Sequence, residues 1–168
     1  MDKTGGMTRL TTAEGSVDGF DVQGDTILFS GLRDMQLPEL YLVEGAKERQ
    51  LTLLNGGRRA PMPEDIAVTN SEGVQVWGMV RVPEGQPGEK HPAVLVIHGG
   101  PNGAFGHVFH QEMQMLCDRG YYVMCCNPTG SDGRGAAFGD VSGRWGTVDY
   151  DDVMRFNDEV LVKYPDTD

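Results

Sequence analysis

Five apolar residues in succession, Ala93 to Ile97, run straight into His98-Gly99-Gly100-Pro101. A strand with one wet face alternates apolar and polar side chains, and this run does not. It therefore reads as a strand buried on both faces, as in the centre of a parallel sheet. Tyr121 to Cys126 is a second run of the same kind. Between them the spacing predicts a helix over Val108 to Arg119, with Val108, Phe109, Met113, Met115, Leu116 and Cys117 on its core side and Gly120 as its stop. A further helix is predicted over Val148 to Tyr164, with Val153, Phe156, Val160 and Leu161 inward and Pro165 closing it. Ahead of these lie Ile66 to Thr69 and Val74 to Val82, an alternating pair around Asn70-Ser71-Glu72-Gly73 that reads as a half-buried hairpin. Strand, helix, strand, helix means α/β with a mainly parallel sheet.

The N-terminal third has another pattern. Val17 to Val22, Thr26 to Ser30, Glu39 to Glu44 and Gln50 to Leu54 are short β-type runs separated by turns, which predicts an antiparallel meander. Leu10-Thr11 recurs as Leu51-Thr52, about 41 residues on, the length that one four-stranded propeller blade consumes. One blade cannot bury both its faces, so further blades are expected upstream. Gly56 to Met62, rich in glycine, charge and proline, marks a boundary. The expected organisation is residues 1–55 as the closing blade or blades of a β-propeller, 56–62 as a linker, and 63–168 as the α/β part.

Composition narrows the partners. With 25 acidic and 14 basic residues the formal charge is −11, a poor match for nucleic acid or for an anionic membrane surface. No apolar run is long enough to cross a bilayer, and the start has no signal-peptide pattern. Cys117, Cys125 and Cys126 are odd in number and lack framework spacing. They read as buried free thiols of a reducing, cytoplasmic compartment, with Cys125 and Cys126 on opposite faces of their strand. His107 and His110 are expected to flank a site entrance or face solvent, and neither a metal nor any other cofactor is expected. Gly133-Arg134-Gly135 meets its next glycine at Gly139, one residue late for a dinucleotide turn, so Gly130 to Gly139 reads as a flexible loop. Asp149, Asp151 and Asp152 read as first-turn complements to a helix dipole, and Asp158 and Glu159 as a solvated face. Trp77 and Trp145 read as packing residues near the sheet surface.

The chemistry is expected where Ala93 to Ile97 ends, since ligands of open α/β sheets bind beyond the carboxyl ends of strands. Glycines there let backbone N–H groups approach a ligand, which is what a developing oxyanion requires. His98-Gly99-Gly100-Pro101 is a loop of the HGG type that supplies one such N–H in α/β-hydrolases.

Three blocks in order, His98-Gly99-Gly100-Pro101, Asn127-Pro128-Thr129-Gly130-Ser131-Asp132-Gly133-Arg134-Gly135, and Gly143-Arg144-Trp145-Gly146 with Asp149-Tyr150-Asp152, resemble the first half of the catalytic domain of the prolyl oligopeptidase family. Acylaminoacyl-peptidases and dipeptidyl-peptidase-like enzymes look most similar, and the resemblance runs from about Ile66 to the C-terminus. It implies a propeller followed by an α/β-hydrolase domain, and a serine peptidase acting on short peptides. It also implies a Ser-His-Asp triad and an oxyanion donor at the Gly100 N–H, shaped by His98 and Gly99. A carboxylesterase of the same fold, or a non-catalytic binding fragment, are the alternatives.

One departure stands out. None of Ser16, Ser30, Ser71, Ser131 and Ser142 sits in Gly-x-Ser-x-Gly, the elbow that carries the nucleophile. The expectation is a fragment with part of the oxyanion hole and no triad, probe-silent on its own. The edge of Ala93–Ile97 would then be open to self-association. Thr129 and Arg134 also stand where relatives often have Arg and Tyr.

Overall fold

A computed structural model describes residues 5–11, 14–85, 89–100 and 102–168. Residues 1–61 with 107–109 form one compact unit, and residues 62–106 with 110–168 form another.

The first unit is a four-stranded antiparallel sheet in chain order, built from β1 (Gly15–Gln23), β2 (Thr26–Arg33), β3 (Glu39–Glu44) and β4 (Lys47–Gln50). The turns explain the order. Gln23 pairs with Thr26 and Glu44 with Lys47, so each hairpin closes over two residues. Gly24 and Gly45 carry the positive φ that such turns demand, +61° and +62°. On the buried face Phe29 pairs with Tyr41 and the rings stack at 5.2 Å. The Arg33 guanidinium lies over Phe29, 4.9 Å from its centroid, and binds Glu48 at 2.8 Å. The last strand departs from expectation. It is Lys47–Gln50, and the apolar residues Leu51, Leu53 and Leu54 that suggested a strand are exposed. The tight turn at Gly45-Ala46 brings the chain back three residues early and uses the polar stretch for pairing.

The second unit holds β5 (Glu64–Thr69), β6 (Gln75–Arg81), β7 (Ala93–Leu95), β8 (Tyr122–Asn127) and the helices α1 (Gln111–Cys117), α2 (Ala136–Gly139) and α3 (Val148–Lys163). The strand order is β5-β6-β8-β7. Only β7 and β8 run parallel, whereas β6 is antiparallel to both β5 and β8. The sheet is thus mixed, not mainly parallel. A parallel pair needs a crossover, and the described chain contains one, β7–α1–β8; the hairpin adds its two strands antiparallel.

The strand at Ala93 is half-buried and lies at the sheet's edge, not in a doubly covered centre. Beyond Leu95 the pairing goes on through Val96 N–H to Met124 O, and Ile97 is 63% exposed. At its start the outer side is taken by the chain's last residues. Asp168 N–H donates to His91 O at 2.8 Å, and His91 N–H to Asp166 O at 2.9 Å.

The two faces of β8 carry two cores. Val123 and Cys125 pack with Met79 and Met113 under α1, while Tyr122, Met124 and Cys126 pack with Val76, Val80, Val153, Phe156 and Val160 under α3. The neighbouring cysteines therefore do face opposite ways, and burial pushes their thiols up, to about 11 for Cys125 and about 12 for Cys126. The α1 helix is shorter than its apolar spacing suggests. It starts after His110, and Met115 is exposed, because a helix lying on one face of a sheet presents only one stripe to it. The same holds for Leu161 on α3. Trp77 and Trp145 are about half exposed and contribute little to either core.

Candidate active site

The carboxyl ends of β7 and β8 lie side by side because these strands are parallel. The loops that leave them, 98–106 and 128–135, are thereby forced together. Four side chains or amides lock this contact. Asn127, the last residue of β8, accepts from Phe105 N–H at 2.7 Å and donates to Phe105 O at 2.9 Å. Asn102 Nδ2 donates to Gly130 O and Gly139 O, both at 3.0 Å. Asp132 N–H reaches Gly103 O at 3.3 Å. His98 Nε2 stands 2.9 Å from Ser131 Oγ.

That last pair has the look of a nucleophile and its base, and its hydrogen bonds argue otherwise. Ser131 is 1% exposed, and its hydroxyl donates to Pro128 O at 2.7 Å. With its proton so committed, Ser131 meets His98 as an acceptor, while His98 Nδ1 lies 3.3 Å from Gly99 O. The pair is a brace. Phe105 packs edge-on to His98 and His110, at 5.3 and 5.6 Å between ring centroids.

The brace leaves the glycines out in the open. Gly99 and Gly100 are exposed, and among the described residues neither amide N–H has an acceptor. Gly100 holds φ at +132°, and a Cβ there would lie 2.8 Å from Gly103 N. Glycine is needed at this position for both reasons. Of the expected site residues, His98, Gly99 and Gly100 are brought to one corner; Pro101 lies outside the described residues. Beside them is a hollow of about 230 Å³ walled by Ile97, His98, Gly130, Trp145, Tyr150 and Val153.

Three features escape the sequence reading. His110 does not face solvent. Its Nε2 is buried with no hydrogen-bond partner among the described residues, and burial together with the Arg81 charge lowers its pKa. The stretch Gly130 to Gly139 is not a flexible loop: it ends in α2, whose Phe138 is buried under the Arg134 guanidinium and accepts from Gly130 N–H at 2.8 Å. Asp152 is no dipole complement on a wet first turn. It is fully buried and accepts from Asn70 Nδ2 at 2.8 Å, Thr129 N–H at 2.7 Å and Thr129 Oγ at 2.6 Å. The signal was present in its spacing, since Asp152 lies four residues from both Val148 and Phe156 on the apolar stripe of α3.

A mixed sheet covered on both faces, with a glycine loop at the carboxyl end of a parallel strand, defines an α/β protein, and the His98–Ser131 corner is its candidate site. The sequence pattern of the prolyl oligopeptidase family matches residues 107–168. The uncharacterized peptidase YuxL of Bacillus subtilis (strain 168) is 39% identical over 137 residues, covering 77% of this chain and 21% of that protein. Dipeptidyl-peptidase 5 of Aspergillus fumigatus is 35% identical over 114 residues, 63% of this chain and 16% of its own length. Among solved structures, the acylaminoacyl peptidase of Pyrococcus horikoshii matches with a TM-score of 0.87 and 31% identity over 98% of this chain and 27% of that one. The chain thus spans about a fifth of the first of these relatives and about a quarter of the solved chain. No helix among the described residues is long and apolar enough to cross a membrane.

Proposed function

We propose that residues 63–168 are the first half of the α/β-hydrolase domain of a serine peptidase acting on short peptides. In this reading residues 1–55 are the closing part of a β-propeller, 56–62 link the two, and the enzyme is cytoplasmic. The observation that carries it is the Gly99-Gly100 turn at the end of β7, whose two N–H groups have no acceptor among the described residues. In acyl transfer a serine oxygen bonds the scissile carbonyl carbon, the C=O electron pair moves onto oxygen, and the serine proton passes to a histidine. The Gly100 N–H would donate to that oxygen, an interaction that strengthens only as charge develops there. The proton then goes to the leaving amine as the C–N bond breaks. The attacking serine, its histidine and its aspartate are assigned to sequence outside residues 1–168, because none of the five serines has an elbow and Ser131 is committed to the brace.

Labelling with a serine-directed fluorophosphonate tests this. The 168-residue chain is expected to stay unlabelled, while a longer protein containing it is labelled and cleaves short peptides. Labelling of the 168-residue chain itself, or a longer protein that hydrolyses simple esters and no peptide, would overturn the assignment. The open side of Val94 to Ile97 leads to a second expectation. Unpaired strand edges recruit other strands, so the isolated chain should sediment as concentration-dependent oligomers. Replacing Val96 by Lys should shift it towards monomer, and a monomeric parent chain at every concentration would refute the edge as an association site.

A further inference from the structure

The geometry points to Asp152 as the positioning residue that, through Thr129, sets the Gly99-Gly100 turn for anion binding. This rests on the oxyanion reading above and deepens it. Every contact of the Asp152 carboxylate is a donor: the amide of Asn70, and the N–H and hydroxyl of Thr129. An asparagine could not replace it. Its amide nitrogen would face a donor at either end, and Asn70 is not free to turn its own amide, since its Oδ1 already accepts from Glu72 N–H at 3.0 Å and Val74 N–H at 2.9 Å. Only a group that accepts on both oxygens satisfies this corner.

Thr129 is held by that carboxylate at two atoms, and the next three residues all hold the glycine loop. Gly130 O takes Asn102, Ser131 takes His98, and Asp132 N–H takes Gly103 O. The loop touches the core through this ladder and through the Asn127–Phe105 clamp. Freeing Thr129 loosens the ladder as a set while leaving the strand pairing of β8 intact. Preorganised donors stabilise an oxyanion only if they need not move to meet it, so a buried carboxylate remote from the reacting atoms governs their effectiveness.

Hydrogen exchange on the 168-residue chain reads the coupling directly. Thr129→Val keeps one of the two Thr129 bonds and removes the other. It is expected to speed exchange at the Gly103 and Asp132 amides about tenfold, with the amides of Val123 to Cys126 within about twofold of the parent. Thr129→Ser retains both donors and should restore parent rates. Asp152→Asn should act in the same direction and more strongly; if it fails to fold, the Thr129 pair still decides. Unchanged loop amides in Thr129→Val, or an equal loss of protection throughout β8, would overturn the proposal. In the longer peptidase Thr129→Val should lower kcat about tenfold with KM nearly constant. Loosened loop amides with an unchanged kcat would uphold the brace and overturn the oxyanion assignment instead.

Discussion

Phe156→Ala is expected to lower the unfolding free energy of the second unit by about 3–5 kcal/mol. Phe156 is fully buried and sits on the sheet above Gly78. The fit is so close that a Cβ at Gly78 would lie 2.4 Å from the ring. Removing the ring leaves a void that β6 and β8 cannot fill, because Cys125 O bounds the same space 2.5 Å from that position. Stabilities of domains are commonly about 5–15 kcal/mol, so the loss consumes a large part of the whole. Urea unfolding would show it as a lower midpoint at unchanged slope. The converse substitution, Gly78→Ala, overfills the site at a cost of about 1–3 kcal/mol. Paired with Phe156→Leu it should cost less than the two single changes together, since they share one space. A Phe156→Ala loss below about 1 kcal/mol would show that α3 is not seated there.

If Gly100 supplies the proposed oxyanion donor, Gly100→Ala is expected to lower kcat/KM for peptides of a longer protein containing this chain about 10²–10³-fold, the size of effect that losing such a donor produces. Two constraints act at once. A φ of +132° is strained for alanine, and its methyl would meet Gly103 N at 2.8 Å and Asn102 N at 3.1 Å, both backbone atoms. The turn must rotate, which swings the N–H away. Gly106 provides the control: a Cβ there meets nothing within 4 Å, and its φ is ordinary. Gly106→Ala should therefore leave peptide turnover within about twofold. Equal activity for both variants, measured on the same peptide, would remove Gly100 from the oxyanion hole.

What could be read from the residues follows from range of interaction. The hairpin at β5 and β6, the β7–α1–β8 crossover and the inward set Val153, Phe156 and Val160 are written in local periodicity, and the structure has all of them. The glycines after β7 were legible because backbone freedom is a property of the residue itself. The edge position of β7 was not, because a run of apolar residues records hydrophobicity and says nothing of how many neighbours a strand has. Likewise Leu51 to Leu54 look like a strand, until the turn at Gly45-Ala46 sets the register of β4. The partners of Ser131 and Asp152 were hidden for a different reason, although the spacing of Asp152 on the apolar stripe marked it as inward. Their roles lie in partners distant along the chain, and a lone serine or a carboxylate near a helix start has ordinary local explanations.

The span of the Asp152 bonds has a bearing on when the glycine loop can be braced. Its partners are 82 residues away at Asn70 and 23 away at Thr129. A ribosome that has made the hairpin, both parallel strands and the glycine turn has still not made the carboxylate that ties Asn70 to Thr129. The glycine loop therefore cannot gain this brace until α3 has been made and has docked on the sheet.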